Sequence, residues 1–142
     1  LELSSNWSPK EDLSINFGYT FTKSYDGSTC SNPDDSCNDE MNVRIPKNAI
    51  STSIVKNFNN NFTGTAQYKY VGERRDYGGS DNGFAQVILK DYSLLNIYAD
   101  YELQNEYNLS FSLKNLFNEK YNEALNYSTP GRSLNLKLQR KF

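Results

Sequence analysis

Residues 74–77 set two guanidinium groups, a carboxylate and a phenol side by side: Arg74, Arg75, Asp76 and Tyr77. Arginine grips carboxylate and phosphate with a planar fork, and tyrosine offers a flat face on which a ring can stack. Such a set could capture an anionic, ring-bearing small-molecule ligand. The two arginines also have a plainer use, holding lipopolysaccharide phosphates or snorkelling at a membrane boundary, and that use carries more weight. Tyr121 and Tyr127 mark a second polar segment. They either line an entrance or pack in an aromatic girdle, and packing is the commoner fate. Arg132 is expected to fix this segment by hydrogen bonds.

Other chemistries are poorly supplied. The chain of 142 residues has no histidine, which removes the commonest general base and metal ligand. A Ser-His-Asp arrangement is out of reach and no glycine-rich phosphate loop occurs, so no catalytic residue and no cofactor is expected. The net charge of −2, from 15 Lys and Arg against 17 Asp and Glu, comes without the basic stripe that nucleic acid requires. Cys30 and Cys37 lie in a polar stretch. An oxidising compartment would join them in a disulfide that pins a loop; the alternative is two unbridged thiols. Zinc-type CxxC spacing is absent. Asp34, Asp35, Asp39 and Glu40 could hold Ca²⁺ but lack EF-hand order, so a solvated loop is the better reading and no metal site is expected.

The elements that must position these residues are long alternating strands. Candidates fall at 1–7, 13–25, 43–56, 62–74, 92–102, 107–117 and 131–142. In the clearest, Leu13, Ile15, Phe17, Tyr19 and Phe21 alternate with Ser14, Asn16, Gly18, Thr20 and Thr22. In the last, Leu134, Leu136 and Leu138 share a parity with the terminal Phe142. Side chains of a strand alternate between faces, so each strand has one apolar and one polar side. Pro46 donates no ladder hydrogen bond and must sit near a strand end or at an unpaired position. Connections alternate between short (8–12, 57–61, 103–106) and long (26–42, 75–91, 118–130).

That alternation decides the environment. Composition alone, with 11 Tyr and 8 Phe, fits a soluble antiparallel sheet somewhat better than a membrane barrel. A soluble meander has no reason to segregate loop length by side, whereas outer-membrane barrels have short periplasmic turns and long extracellular loops. Strands of about a dozen residues, tilted about 45°, cover roughly 25–30 Å, the height of the apolar band. The expected fold class is all-β, a transmembrane antiparallel up-and-down β-barrel. Seven strands cannot close, and open edges in hydrocarbon cost several kcal/mol per group. The chain, which begins at Leu1 rather than Met, is therefore expected to be a piece of a longer protein.

Three segments strengthen this. Asn115, Leu116, Phe117 and Tyr121 stand as NLF-N-x-x-Y; Pro130, Gly131 and Arg132 follow Tyr127; and Phe142 ends the chain. In that order they resemble signatures of TonB-dependent outer-membrane receptors. Arg44-Ile45-Pro46 and the run Tyr70–Arg74 resemble family features at the tops of earlier strands. The resemblance implies a barrel of about 22 strands, of which these would be the last seven, closed by an N-terminal plug that this chain would lack. It further implies localisation in the bacterial outer membrane and active transport of a scarce, bulky nutrient. The implied partners are outer-membrane lipid and lipopolysaccharide, the barrel-assembly machinery through the C-terminal strand, and TonB through the plug. The spacing from Tyr121 to Tyr127 before Pro130-Gly131-Arg132 looks closest to cobalamin receptors, with ferric-siderophore receptors as the alternative. Two rivals stand outside the family, a small structural or adhesin barrel and a soluble β-sandwich.

Overall fold

The computed structural model of the protein describes residues 1–24, 42–78, 86–103 and 106–140. Among these residues lie nine strands: β1 (Glu2–Lys10), β2 (Leu13–Phe21), β3 (Asn48–Asn59), β4 (Phe62–Val71), β5 (Arg74–Tyr77), β6 (Gln86–Leu89), β7 (Tyr92–Leu103), β8 (Tyr107–Lys114) and β9 (Ser133–Arg140). Seven form one sheet in the order β1-β2-β3-β4-β7-β8-β9, every neighbouring pair antiparallel. The remaining two, β5 and β6, make a separate hairpin. The large sheet is an up-and-down arc whose outer strands, β1 and β9, do not pair with each other.

Register confirms the alternation and gives it dimensions. One row of paired residues crosses the whole arc: Trp7, Ile15, Ile54, Ala66, Ile97, Leu113 and Leu134. Rows of the same parity above and below it hold Phe17, Tyr68 and Leu95, then Ala99, Phe111 and Leu136. On the opposite face Asn6, Asn16, Ser53, Gln67 and Asn96 form a polar row. Nothing among the described residues covers the apolar face: Trp7 is 61% exposed and Leu136 70%. A β-sandwich would bury that side, so the sandwich rival fails on geometry.

Aromatic side chains flank the apolar rows. At the short-turn end Phe58 stacks on Phe62 (5.0 Å between centroids), which faces Tyr101 at 6.2 Å. The Phe58 ring lies so close over Gly64 that a Cβ there would come within 2.9 Å of it. Tyr19 and Tyr70 stand at the other end, where the Tyr19 hydroxyl donates to Asn48 Oδ1 (2.8 Å). Such belts mark the two boundaries of a hydrocarbon slab.

The short turns lie together. Two-residue turns join β1 to β2 and β3 to β4, and Asn57 N donates to the Asp12 carbonyl (2.8 Å). Asn61 Nδ2 reaches the Glu102 carbonyl (3.1 Å). Lys56 Nζ also donates to Asp12 Oδ2. All long connections therefore emerge at the opposite end.

Several expected boundaries shift for local reasons. β1 runs on through Pro9 to Lys10 with a register shift between Trp7 and Lys10; Pro9 is tolerated at that irregularity, where it has no paired residue in β2. β3 starts at Asn48 rather than at 43, because Arg44 adopts φ 64° and Pro46 follows. At its far end β3 continues into the expected turn, reaching Asn59. β4 stops at Val71, and β8 stops at Lys114, before Asn115 turns left-handed with φ 51°. The connection expected at 75–91 contains the β5–β6 hairpin and is not a plain loop. The expected strand end at Tyr25, the Cys30–Cys37 pairing, the acidic run and the terminal Phe142 lie outside the described residues.

Candidate functional site

The long connections converge, and a small set of polar groups holds them together. The first tie is the neck of the segment 115–132. Its left-handed turn sets Asn115 across the segment, buried, with all of its side-chain polar atoms engaged. Asn115 Nδ2 donates to the carbonyls of Glu119 (2.9 Å) and Pro130 (3.3 Å), while its Oδ1 accepts from Glu119 N (2.8 Å). Its backbone N donates to Asn96 Oδ1 (2.9 Å), and Leu116 N to the Leu95 carbonyl (2.8 Å), so the neck is bolted to β7. Asn118 Oδ1 accepts from Arg132 N (2.9 Å) and would sit 2.9 Å from any Cβ at Gly131. Arg132 Nη1 reaches the Leu116 carbonyl at 3.5 Å. The two signature segments thus clasp each other, chiefly through the Arg132 backbone N–H and the Asn118 side chain. Phe117, by contrast, is exposed.

Replacing Asn115 by Ala removes three side-chain hydrogen bonds and asks a Cβ-bearing residue with no local acceptor to hold φ 51°. The expected cost is about 2 kcal/mol, read as a lowered urea midpoint for the folded barrel with an unchanged slope.

Beyond the neck the segment leans over the polar face of the sheet. Tyr92 opens β7 on that face, and Tyr121 packs against it with centroids 4.3 Å apart and ring planes tilted by 31°. The Tyr92 hydroxyl donates to Glu123 Oε1 (3.4 Å), which also lies 4.0 Å from Lys69 Nζ. Arg74 caps the pair, its guanidinium carbon 5.2 Å above the Tyr92 ring. Arg74 Nε donates to the Glu123 carbonyl (3.4 Å) and Nη2 to the Asn122 carbonyl. Burial first and Glu123 second raise the Tyr121 phenol above its ordinary 10.0, so the ring stays neutral.

The second tie is Asp76, whose side chain is fully buried. Arg44 Nε donates to Oδ1 (2.9 Å), Tyr77 N donates to the same oxygen (2.9 Å), and Leu125 N donates to Oδ2 (2.6 Å). Arg44 N also donates to the Arg75 carbonyl (2.6 Å). One carboxylate therefore joins the connection before β3, the β5–β6 hairpin and the segment before β9. Burial alone would raise its pKa; the N–H groups of Leu125 and Tyr77 and the Arg44 guanidinium outweigh it and hold the carboxyl below its ordinary 3.8. Left-handed backbone flanks the tie at Arg44 and Asn126, both at φ 64°.

The six residues singled out by their chemistry separate into two groups. Arg74, Asp76 and Tyr121 are drawn inward, and their functional groups are spent on loop backbone or ring stacking. Arg75, Tyr77 and Tyr127 face outward. Tyr77 is 51% and Tyr127 68% exposed, and half-buried Arg75 donates from Nη1 to Gln86 Oε1 (3.2 Å). Sequence reasoning missed the partners Tyr92, Glu123 and Leu125. Arg44 was legible only as part of a motif, although a lone basic residue before Pro46 is the signal that could have marked it.

Comparison with known proteins agrees with this architecture. Residues 1–116 match the family described as TonB dependent receptor-like, beta-barrel. No curated protein matches the chain. Among solved structures, the siderophore receptor PirA from Acinetobacter baumannii superposes with TM-score 0.77 at 16% identity, covering 99% of this chain and 21% of that one. The ferric-catecholate import receptor Fiu from E. coli K12 gives 0.76 at 16% identity, covering 96% and 20%. The FrpB iron transporter from Neisseria meningitidis gives 0.70 at 22% identity, covering 96% and 23%. The chain spans about a fifth of the length of the solved receptors it matches. At these identities the likeness is one of fold; the family match over most of the chain carries the assignment. The chain belongs to the TonB-dependent receptor β-barrel family, whose members are bacterial outer-membrane proteins.

Proposed function

We propose that this chain is part of the barrel of an outer-membrane receptor that imports a ferric siderophore by TonB-dependent transport. The long connections form part of the extracellular entrance, since long loops face outward in such barrels. The observation that carries the reading is the family match, joined by a fold shared with siderophore and iron receptors over nearly the whole chain. The cobalamin reading rested on the spacing between Tyr121 and Tyr127, and none of the solved receptors named above supports it. Further strands would complete the cylinder, and a plug would couple it to TonB. The apolar face would meet lipid and, in the outer leaflet, lipopolysaccharide. The last strand would engage the barrel-assembly machinery.

In this reading Arg75, Tyr77 and Tyr127 are the residues free to meet ligand, as cation and stacking faces. Titrating the full-length receptor with a ferric catecholate and with cyanocobalamin separates the substrates. Tight binding of the first alone supports the proposal, and tight binding of cyanocobalamin alone refutes it. Changing Tyr77 and Tyr127 together to Ala should weaken ferric-ligand binding about tenfold, since each stacked ring contributes about 0.5–1.5 kcal/mol. The melting temperature should not move, because both rings are exposed.

A further inference from the structure

The geometry points to a passage surface on the polar face of the sheet. The inner wall of β1–β3 is the side along which the imported ligand descends, a neutral track for a solute rich in hydroxyl and amide groups. Rows of polar parity set Ser4 beside Gly18 and Ser51, then Asn6 beside Asn16 and Ser53. Ser14 and Val55 continue the track toward the short turns, and Thr20 and Ala49 continue it toward the long connections. No side chain among these is longer than asparagine, and none is charged. Glu2 stands at the upper rim, beside Thr20. Three strands spaced about 4.8 Å apart make the track about 14 Å wide. From Thr20 to Ser14 it spans about 15 Å of membrane normal on a strand tilted about 40°.

The track is also hollow. A cavity of about 730 Å³ runs along it, with Ser4, Asn16, Gly18, Ser51 and Ser53 in its lining. At Gly18 the wall carries no side chain, and a Cβ there would come within 2.8 Å of Ser51 Oγ. Asn16 and Ser51 are exposed. Beyond β3 the same face turns crowded and charged. Lys69, Tyr98, Asp100, Lys114 and Lys137 carry it across β4 and β7–β9. Ser110 Oγ donates to Asp100 Oδ1 (2.6 Å), and Lys69 Nζ lies 4.0 Å from Glu123 Oε1. Among the described residues no ion pair falls on the track.

This contrast sorts the wall by what it does to a moving solute. A path conducts when each contact is strong enough to admit the solute and weak enough to release it. Hydrogen bonds to ionised groups are about twice as strong as neutral ones, so Lys69, Asp100, Lys114 and Lys137 would hold a passing ligand rather than release it. Serine hydroxyls and asparagine amides both donate and accept. Successive rows repeat them, so a hydroxyl-bearing ligand exchanges one partner for the next as it moves. The track begins beneath the entrance, since Thr20 and Ala49 sit one residue inside the long-connection ends of β2 and β3. The inference rests on the transport reading and adds to it the side of the wall that the ligand follows.

The test uses cells that make the full-length receptor and are supplied with a ferric catecholate carrying radioactive iron. Ser51→Trp and Ser53→Trp each place a bulky ring on the track, and Ser112→Trp places one on the same face of β8. The two track variants should slow uptake at least fivefold with ligand affinity and melting temperature unchanged, because the rings obstruct the route without touching the entrance. Ser112→Trp should import at the wild-type rate. Wild-type uptake by the Ser53→Trp receptor would overturn the inference. So would equal slowing by Ser112→Trp, which would mean that bulk anywhere in the lumen obstructs. Loss of affinity or melting temperature in both track variants would show that protein packs against this face, and would overturn it as well. In each of these cases the wild type still imports, and the transport reading stands. A wild type that imports no ferric catecholate would sink that reading and this inference together.

Discussion

Replacing Asp76 by Ala is expected to free the long connections together while leaving the sheet intact. The substitution strips acceptors from Leu125 N and Tyr77 N and removes the partner of Arg44. The Arg44 side chain is 58% exposed, so water takes over much of its lost interaction. The amides have no such recourse while the loops stay packed, and each orphaned donor costs about 1–3 kcal/mol. The two orphaned donors together give a total of about 2–6 kcal/mol. Opening is the relief, and the left-handed Arg44 and Asn126 relax with it.

Amide hydrogen exchange reads this directly. Protection of Leu125 and Tyr77 should fall by about two orders of magnitude, at about 1.4 kcal/mol per factor of ten. Ile54 and Ala66, in the ladder between β3 and β4, should not change. Retained protection at Leu125 would show that the loops are held by something other than Asp76. The pH dependence follows from the sign of the shift. The carboxyl titrates lower in the folded protein than its ordinary 3.8, so the tie is fully present above that value. It is lost only as the pH falls through the lower, folded value, and the loops should remain joined at pH 5.

How much of this was legible in the sequence depended on range. Leu13 to Phe21 declared their faces because period two is local, and the paired rows across the arc follow from it. The β5–β6 hairpin was not legible. Gln86–Leu89 is a four-residue strand that runs Val-Ile-Leu without alternation, and it pairs with a stretch of charges. Arg74, Asp76 and Tyr121 could be picked out by chemical type, yet their use depends on residues far along the chain. Asp76 meets an amide 49 positions away, and no periodicity announces such a contact. Asn115 and Gly131 were visible as signatures, but that they bind each other's neighbourhoods needed the fold. Ligand identity was least legible, because Tyr121 spends its ring on Tyr92 and only Tyr127 of the pair stays exposed.

The central claim is that the apolar face lies in lipid, and an arginine scan across one strand tests it most directly. Ile54 sits in the middle row of the arc, and Ser53 beside it points to the polar face. In the full-length receptor folded into phospholipid vesicles, Ile54→Arg should reduce unfolding stability by about 2–4 kcal/mol, the cost of a cation at the bilayer midplane. Ser53→Arg should change it by less than about 1 kcal/mol, because its side chain projects toward water. Equal tolerance of both substitutions, or a larger loss at Ser53, would contradict the placement of this wall in a membrane.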